Sequence, residues 1–237
     1  MNSETMRLRE DFLRLGLRPG GVVMVHSSLR ALGCGAETVI DGLLTALGAE
    51  GTLLMPALTY ERVTRETPFF DVRATPSNVG VIPETFRLRP GTCRSLHPTH
   101  SVCAVGPFAA LLPDHARDTT PCGPHSPFHW LPKHNGQILM LGCGLAPNTS
   151  MHAVEELAEP PYLYGLPIEY RLNGVAKSYT PHGFQGYRQR YDRIGQMLDV
   201  RRGKVLAGEA FLLEAAAMWE VALDALRKNP LAFVDPV

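Results

Sequence analysis

The chain has 237 residues, enough to bury a sizeable core as one large domain, residues 1–237, and short for two separate ones. Lys+Arg and Asp+Glu both number 23, so the net charge is zero, which excludes broad electrostatic capture of nucleic acid or an anionic membrane and leaves recognition to local charge. No stretch approaches the ~18 apolar residues of a membrane span, and "MNSETMRLREDFLRLG" lacks the apolar core of a secretion signal, so a cytoplasmic protein without membrane contact is expected.

In chain order, Leu8, Phe12 and Leu15 recur at helical spacing behind Ser3 and Glu4, a short amphipathic helix that stops at "GLRPGG". "VVMVH" reads as a buried strand, "AETVIDGLLTALG" as a helix ending at Gly48, and "GTLLMPAL" as the next strand. Strand, helix and strand within some thirty-five residues predict a crossover unit and a parallel pair. Residues 59–78 show no period and contain two prolines, the character of a long binding loop. "VGVIPETFRLRP" reads as a helix, and "HSVCAVG" and "QILMLG" read as buried strands. "LPIEYRLNGVAKSYTP" alternates around an Asn-Gly turn signal and predicts a hairpin. "GEAFLLEAAAMWEVALDALRKNP" reads as one amphipathic helix ended by Asn229-Pro230. The expected fold is α/β, a single domain with a mixed, partly parallel central sheet and flanking helices. Cys34, Cys93, Cys103, Cys122 and Cys143 are odd in number and never spaced C-x-x-C, so they are expected as reduced thiols.

Four stretches carry chemistry, each with a structural alternative. "VHSSLRALG" ends a strand in hydroxyls that can hold phosphate oxygens, or is a plain strand-to-helix turn. "CRSLHPTHSV" gathers Arg94, Ser95, His97, His100 and Ser101, which can bind a ligand or satisfy loop backbone; His97 and His100 lack a third and fourth partner nearby for zinc. "TTPCGPHSPFHW" sets Cys122 near His125, a thiol beside a base or a proline-stiffened structural loop. "NTSMHAVEE" places His152 three and four residues before Glu155 and Glu156, which suits a metal half-site, a base with an orienting acid, or an ordinary helix start capped by Asn148 to Ser150.

In order, "VMVHSSLRALG", "GTLLMPALTY", "FDVRATPSNVGVIPETFRLRPGTCRSLHPTHSVCAVG", "PCGPHSP", "GQILMLGCGLAPNTSMHAVEE" and "YDRIGQML" resemble the aminoglycoside 3-N-acetyltransferase family over nearly the whole chain. The resemblance implies an α/β fold distinct from GCN5-like acetyltransferases, and acetyl transfer from acetyl-coenzyme A to an amine of a small molecule, with no metal, by a monomer or homodimer. It implies His152 as the catalytic histidine and Glu155 as its carboxylate. It implies a coenzyme A site lined by His26, Ser27, Ser28 and Leu29, and by Arg94, Ser95, Pro98, His100, Ser101 and Val102. Thr149, Ser150 or a nearby backbone amide are candidates for the donor to the thioester oxygen, and Tyr60, Asp71 and Glu156 are candidates beside the amine. Many antibiotic-modifying members place a second acid well downstream of the histidine; here that region reads "VAKSYTPHGFQGYRQRYD", with no Glu, and His182 is the candidate in its place.

The implied chemistry needs a base. A protonated amine has no lone pair for a thioester, and a histidine can take the proton as the carbon–nitrogen bond forms. An aminoglycoside carries several positive charges and calls for an acidic pocket. The loop carrying Glu61, Glu66 and Asp71 also holds Arg62, Arg65 and Arg73, so a less cationic biosynthetic amine is an alternative acceptor. A non-catalytic coenzyme A-binding protein and a zinc hydrolase are further alternatives.

Overall fold

Side chains that alternate along apolar strands decide the architecture, because both faces of the sheet are covered. The computed structural model describes residues 2–237. Its large sheet uses β1 (Val22–Ser27), β2 (Thr52–Pro56), β4 (Cys93–Arg94), β5 (Val102–Val105), β6 (Gln137–Leu141), β10 (Arg201–Val205) and β11 (Gly208–Glu214). The order is β10-β11-β6-β1-β2-β5-β4. β1 is parallel to both β2 and β6, while β5, β4, β11 and β10 add on antiparallel.

Val23 and Val25 of β1 face one apolar cluster, with Leu8 and Phe12 of α1 (Ser3–Leu15), Val39, Ile40 and Leu43 of α2 (Ala36–Leu47), and Ile82 and Phe86 of α3 (Val81–Leu88). Val22 and Met24 face the other, with Phe128 of α4 (Pro127–Trp130), Met151 and Val154 of α5 (Ser150–Ala158), and Met218 and Ala222 of α6 (Ala215–Lys228). The result is one three-layer α/β domain around a mixed sheet. The expected crossover is present, with α2 joining the parallel pair β1 and β2. Gly16 closes α1 in the left-handed region, where only glycine is unstrained.

Two smaller sheets sit beside this body. β3 (Phe69–Phe70) pairs with β7 (Ile168–Leu172), and β7 forms the expected hairpin with β8 (Val175–Tyr179); Asn173 and Gly174 both have positive φ, as a type I′ turn requires. β9 (Tyr187–Gln189) pairs with β12 (Val234–Pro236).

One expectation is corrected. Residues 208–228 are not a single helix: Gly208–Glu214 is β11, paired with β6 and β10, and the helix starts at Ala215. "GEAFLLE" is apolar on both sides, with Ala210 and Leu212 in one cluster and Leu213 in the other. A strand buried on both faces has no polar alternation to separate it from a buried helix. Only the free edge of β6 decides between them. Among the described residues no helix is long and apolar enough to cross a membrane, and all five cysteines are free thiols.

Candidate active site

A crevice in an open α/β sheet lies beyond the carboxyl ends of the strands, where neighbouring connections diverge. Here β1 lies between β2 and β6, and a cavity of about 460 Å³ opens beyond all three. Val25, His26 and Ser27 from β1, Pro56 at the end of β2 and Leu58 beyond it, and Cys143, Ala146 and Pro147 after β6 line it. Tyr60, Val79, Pro83 and His100, with Thr149, His152, His182, Phe184, Gln189 and Tyr191, complete the lining.

α5 brings His152 to this wall and Glu155 behind it. Asn148 Oδ1 accepts from the Ser150 backbone N–H at 3.2 Å, capping the first turn, and Glu159 ends the helix in the left-handed region before two prolines. Helical spacing then sets His152 and Glu155 on one side of the helix, with Nδ1 and Oε2 3.2 Å apart. Glu155 is fully buried and accepts from the Tyr162 hydroxyl at 2.9 Å and the Tyr191 hydroxyl at 2.6 Å. Burial beside Glu155 pushes both phenols well above their ordinary range, so they stay protonated and donate. The Tyr191 oxygen also lies 2.8 Å from His152 Nδ1. With Nδ1–H directed at Glu155 and Tyr191, His152 keeps its Nε2 lone pair for a proton.

Glu156, one residue on, points elsewhere. It accepts from the Thr120 hydroxyl at 2.5 Å, the Cys122 backbone N–H at 2.6 Å and His182 Nε2 at 2.8 Å. His182, held by Glu156, and His100 stand next to His152, with ring centroids 4.9 and 5.7 Å from it. Burial lowers His100 well below the ordinary histidine range, reinforced by His152 and His182. His182 is also lowered by burial, against the upward pull of Glu156. His26 falls to about 3, from burial first and then the neighbouring His152. Among the described residues, no Asp or Glu lines the wall.

Of the residues expected from sequence, His26, Ser27, Tyr60, His100, Thr149, His152 and His182 line the cavity. Ser28 and Leu29 lie just beyond β1, where the Ser28 N–H continues the pairing with Leu141. The rest of "RSLHPTHSV" stitches loops. Half-buried Arg94 donates to Ser101 Oγ and to the carbonyls of Ala57, Val72 and Thr75, and lies over the Phe70 ring. Ser95 joins His115 to the Val102 N–H, and Val102 is core. The Pro98 carbonyl accepts from Thr59, and Ser101 donates to Ala57. Asp71 is exposed and caps the N–H groups of Arg73 and Ala74, away from the wall. Cys122 is buried off the wall, and burial beside Glu156 and Glu155 holds its thiol well above the ordinary range, which opposes a nucleophile there. Sequence reasoning assigned no role to Tyr162, Phe184, Gln189 or Tyr191. Tyr191 opens the quoted block "YDRIGQML", the one signal that pointed near it.

Residues 24–227 match the family model described as aminoglycoside 3-N-acetyltransferase. The chain is 38% identical to aminoglycoside N(3)-acetyltransferase IV of Salmonella sp., over 95% of this chain and 88% of that protein. It is 36% identical to aminoglycoside N(3)-acetyltransferase IX of Micromonospora chalcea over 65% of this chain, spanning 62% of that relative's length. Solved structures agree. A histidine-to-alanine mutant of aminoglycoside acetyltransferase AAC(3)-IVa in complex with a gentamicin superposes with a TM-score of 0.86 at 31% identity, covering 100% of this chain and 93% of that one. The binary complex of AAC-IIIb with CoASH gives 0.81 at 27%, covering 98% of each chain. With an imidazole–carboxylate pair at the mouth of the parallel strands and likeness along almost its whole length, the chain belongs to the aminoglycoside 3-N-acetyltransferase family.

Proposed function

We propose that the chain transfers the acetyl group of acetyl-coenzyme A directly to a small-molecule amine, with His152 as general base. The observation that carries this reading is the wall-lining His152, whose Nδ1 is held by Glu155 and Tyr191 while Nε2 is left for the substrate. The amine nitrogen attacks the thioester carbonyl, Nε2 takes its proton, and the tetrahedral intermediate collapses. The carbon–sulfur bond breaks, and the imidazolium returns the proton to the leaving thiolate. Glu155 stabilises that imidazolium. Ser27, whose Oγ is buried without a partner, and Thr149 are two wall hydroxyls that can serve the charged thioester oxygen, a donor role typically worth about 3 kcal/mol. Coenzyme A in the AAC-IIIb complex supports the donor.

An aminoglycoside is the acceptor class that the relatives' names carry. A second acceptor reading rests on the wall itself. Both carboxylates of α5 are spent on internal hydrogen bonds, so nothing on the wall offsets the charges of a polycation, and an amine of lower charge fits better. Acetylated product is to be followed by mass spectrometry with acetyl-coenzyme A, a panel of 2-deoxystreptamine antibiotics and a panel of monoamines. Turnover confined to monoamines removes the antibiotic reading, and failure with both panels removes the enzyme reading.

A further inference from the structure

We propose that His100, His152 and His182 form a three-imidazole site for a zinc-like divalent cation, and that filling it takes the base out of use. One ring nitrogen from each residue lies within 4.8 Å of the other two. His100 comes from the loop before β5, His152 from α5 and His182 from the segment after β8. No local spacing in the sequence announces the group.

A second observation independently calls for a ligand. His182 is almost wholly buried, its Nε2 bonds Glu156, and its Nδ1 is buried with no partner. A buried imidazole nitrogen without a partner costs free energy that a bound group would recover. The far nitrogens of all three rings are already engaged: Glu155 and Tyr191 hold His152, Glu156 holds His182, and Thr99 Oγ1 lies 2.9 Å from His100 Nδ1. A carboxylate behind a ligating imidazole fixes ring and tautomer in zinc sites, and two of these three rings have one.

The ring spacing also fits. Zinc bound tetrahedrally at 2.0–2.1 Å puts imidazole centroids about 5 Å apart. Here they are 4.9, 5.7 and 5.8 Å apart, near that spacing, and closing the site requires the three ring nitrogens to draw in from their present separation of up to 4.8 Å. Three nitrogen ligands with no carboxylate suit zinc or cobalt rather than magnesium or calcium, and the cavity side leaves a fourth position open. The His152 lone pair that binds the cation is the one proposed to take the amine's proton. Occupancy and acetyl transfer are therefore mutually exclusive, a consequence that rests on the reading of His152 as base.

The test titrates zinc chloride, or cobalt chloride for its spectrum, into the full chain and counts bound metal by equilibrium dialysis. Expected are one cation per chain, a cobalt spectrum without thiolate charge transfer, and loss of binding in both His182→Asn and His100→Asn, each checked for folding by circular dichroism. Glu156→Gln should weaken binding about 10–100-fold. Product formation, followed by mass spectrometry, should fall with occupancy and return on chelation. No stoichiometric binding, or binding unchanged in a folded His182→Asn or His100→Asn, overturns the site. Turnover that continues with the cation bound overturns the exclusion while acetyl transfer stands. A bound cation on a chain whose metal-free form acetylates no amine supports the site and removes the acetyltransferase reading.

Discussion

Glu155 and Glu156 are consecutive, each accepts three donors and each holds a histidine, yet they serve different regions of the molecule. Successive helix residues point about 100° apart, so one turn of α5 reaches two places. Glu155 reaches inward to two phenols and orients the histidine proposed to handle the proton. Glu156 reaches toward the loop at Thr120 and Cys122 and places a second imidazole on the wall. The contrast teaches that neighbouring carboxylates in a motif divide between holding the proposed base and positioning a loop according to what packs around each of them.

The contrast breaks most sharply at His152. His152→Ala should lower kcat/KM by about 10²–10⁴-fold, as loss of a general base does; a near wild-type rate ends the base assignment. Glu155→Gln should cost at least about a hundredfold in kcat, towards the ~10⁴ seen when a triad carboxylate becomes an amide. Glu156→Gln should leave kcat within about tenfold but lower unfolding stability by about 1.5–3 kcal/mol, the worth of a hydrogen bond to a charged group, read from denaturant midpoints. Equal activity losses in the two glutamine variants would erase the division of labour.

Acid should strain the chain's buried imidazoles. Burial lowers His115 to about 3, and burial with neighbouring His152 lowers His26 to about 3. Below the unfolded value near 6.5, the unfolded chain binds protons that these native rings refuse, so stability falls with pH from there towards 3. From pH 7.5 to 5.5 the loss is about 1.4 kcal/mol per histidine, measurable in urea midpoints and reduced by that amount in His115→Asn. The smallest effect concerns acceptor charge. Gln189→Glu puts a carboxylate on the wall and should raise kcat/KM for a polycationic amine over a monoamine about fivefold, for roughly 1 kcal/mol; an unchanged ratio would show that wall charge does not select the acceptor.

The opening helix, β1, α2 and β2, the β7–β8 hairpin and the start of α5 were legible because each carries a local signal: one apolar stripe, a short β-branched run, an Asn-Gly turn, or a capping Asn. β11 was not, since an apolar run buried on both faces resembles a helix until a neighbouring strand claims its backbone. In the site, His152 and Glu155 were legible as a spaced pair within a family block. The positions of Arg94, Ser95 and Ser101 were not, because a polar side chain near a strand entrance can serve backbone or ligand equally well.

The sequence by itself determined an α/β chain of balanced charge, its parallel crossover and an imidazole followed at helical spacing by two acids, since periodicity and spacing are local properties of the backbone. Only the tertiary structure decided which acid served which histidine. It brought Tyr191, His182 and His100 together around His152 from three distant segments and left the wall without a carboxylate. Those relations arise where loops meet beyond the strand ends, and long-range packing sets them.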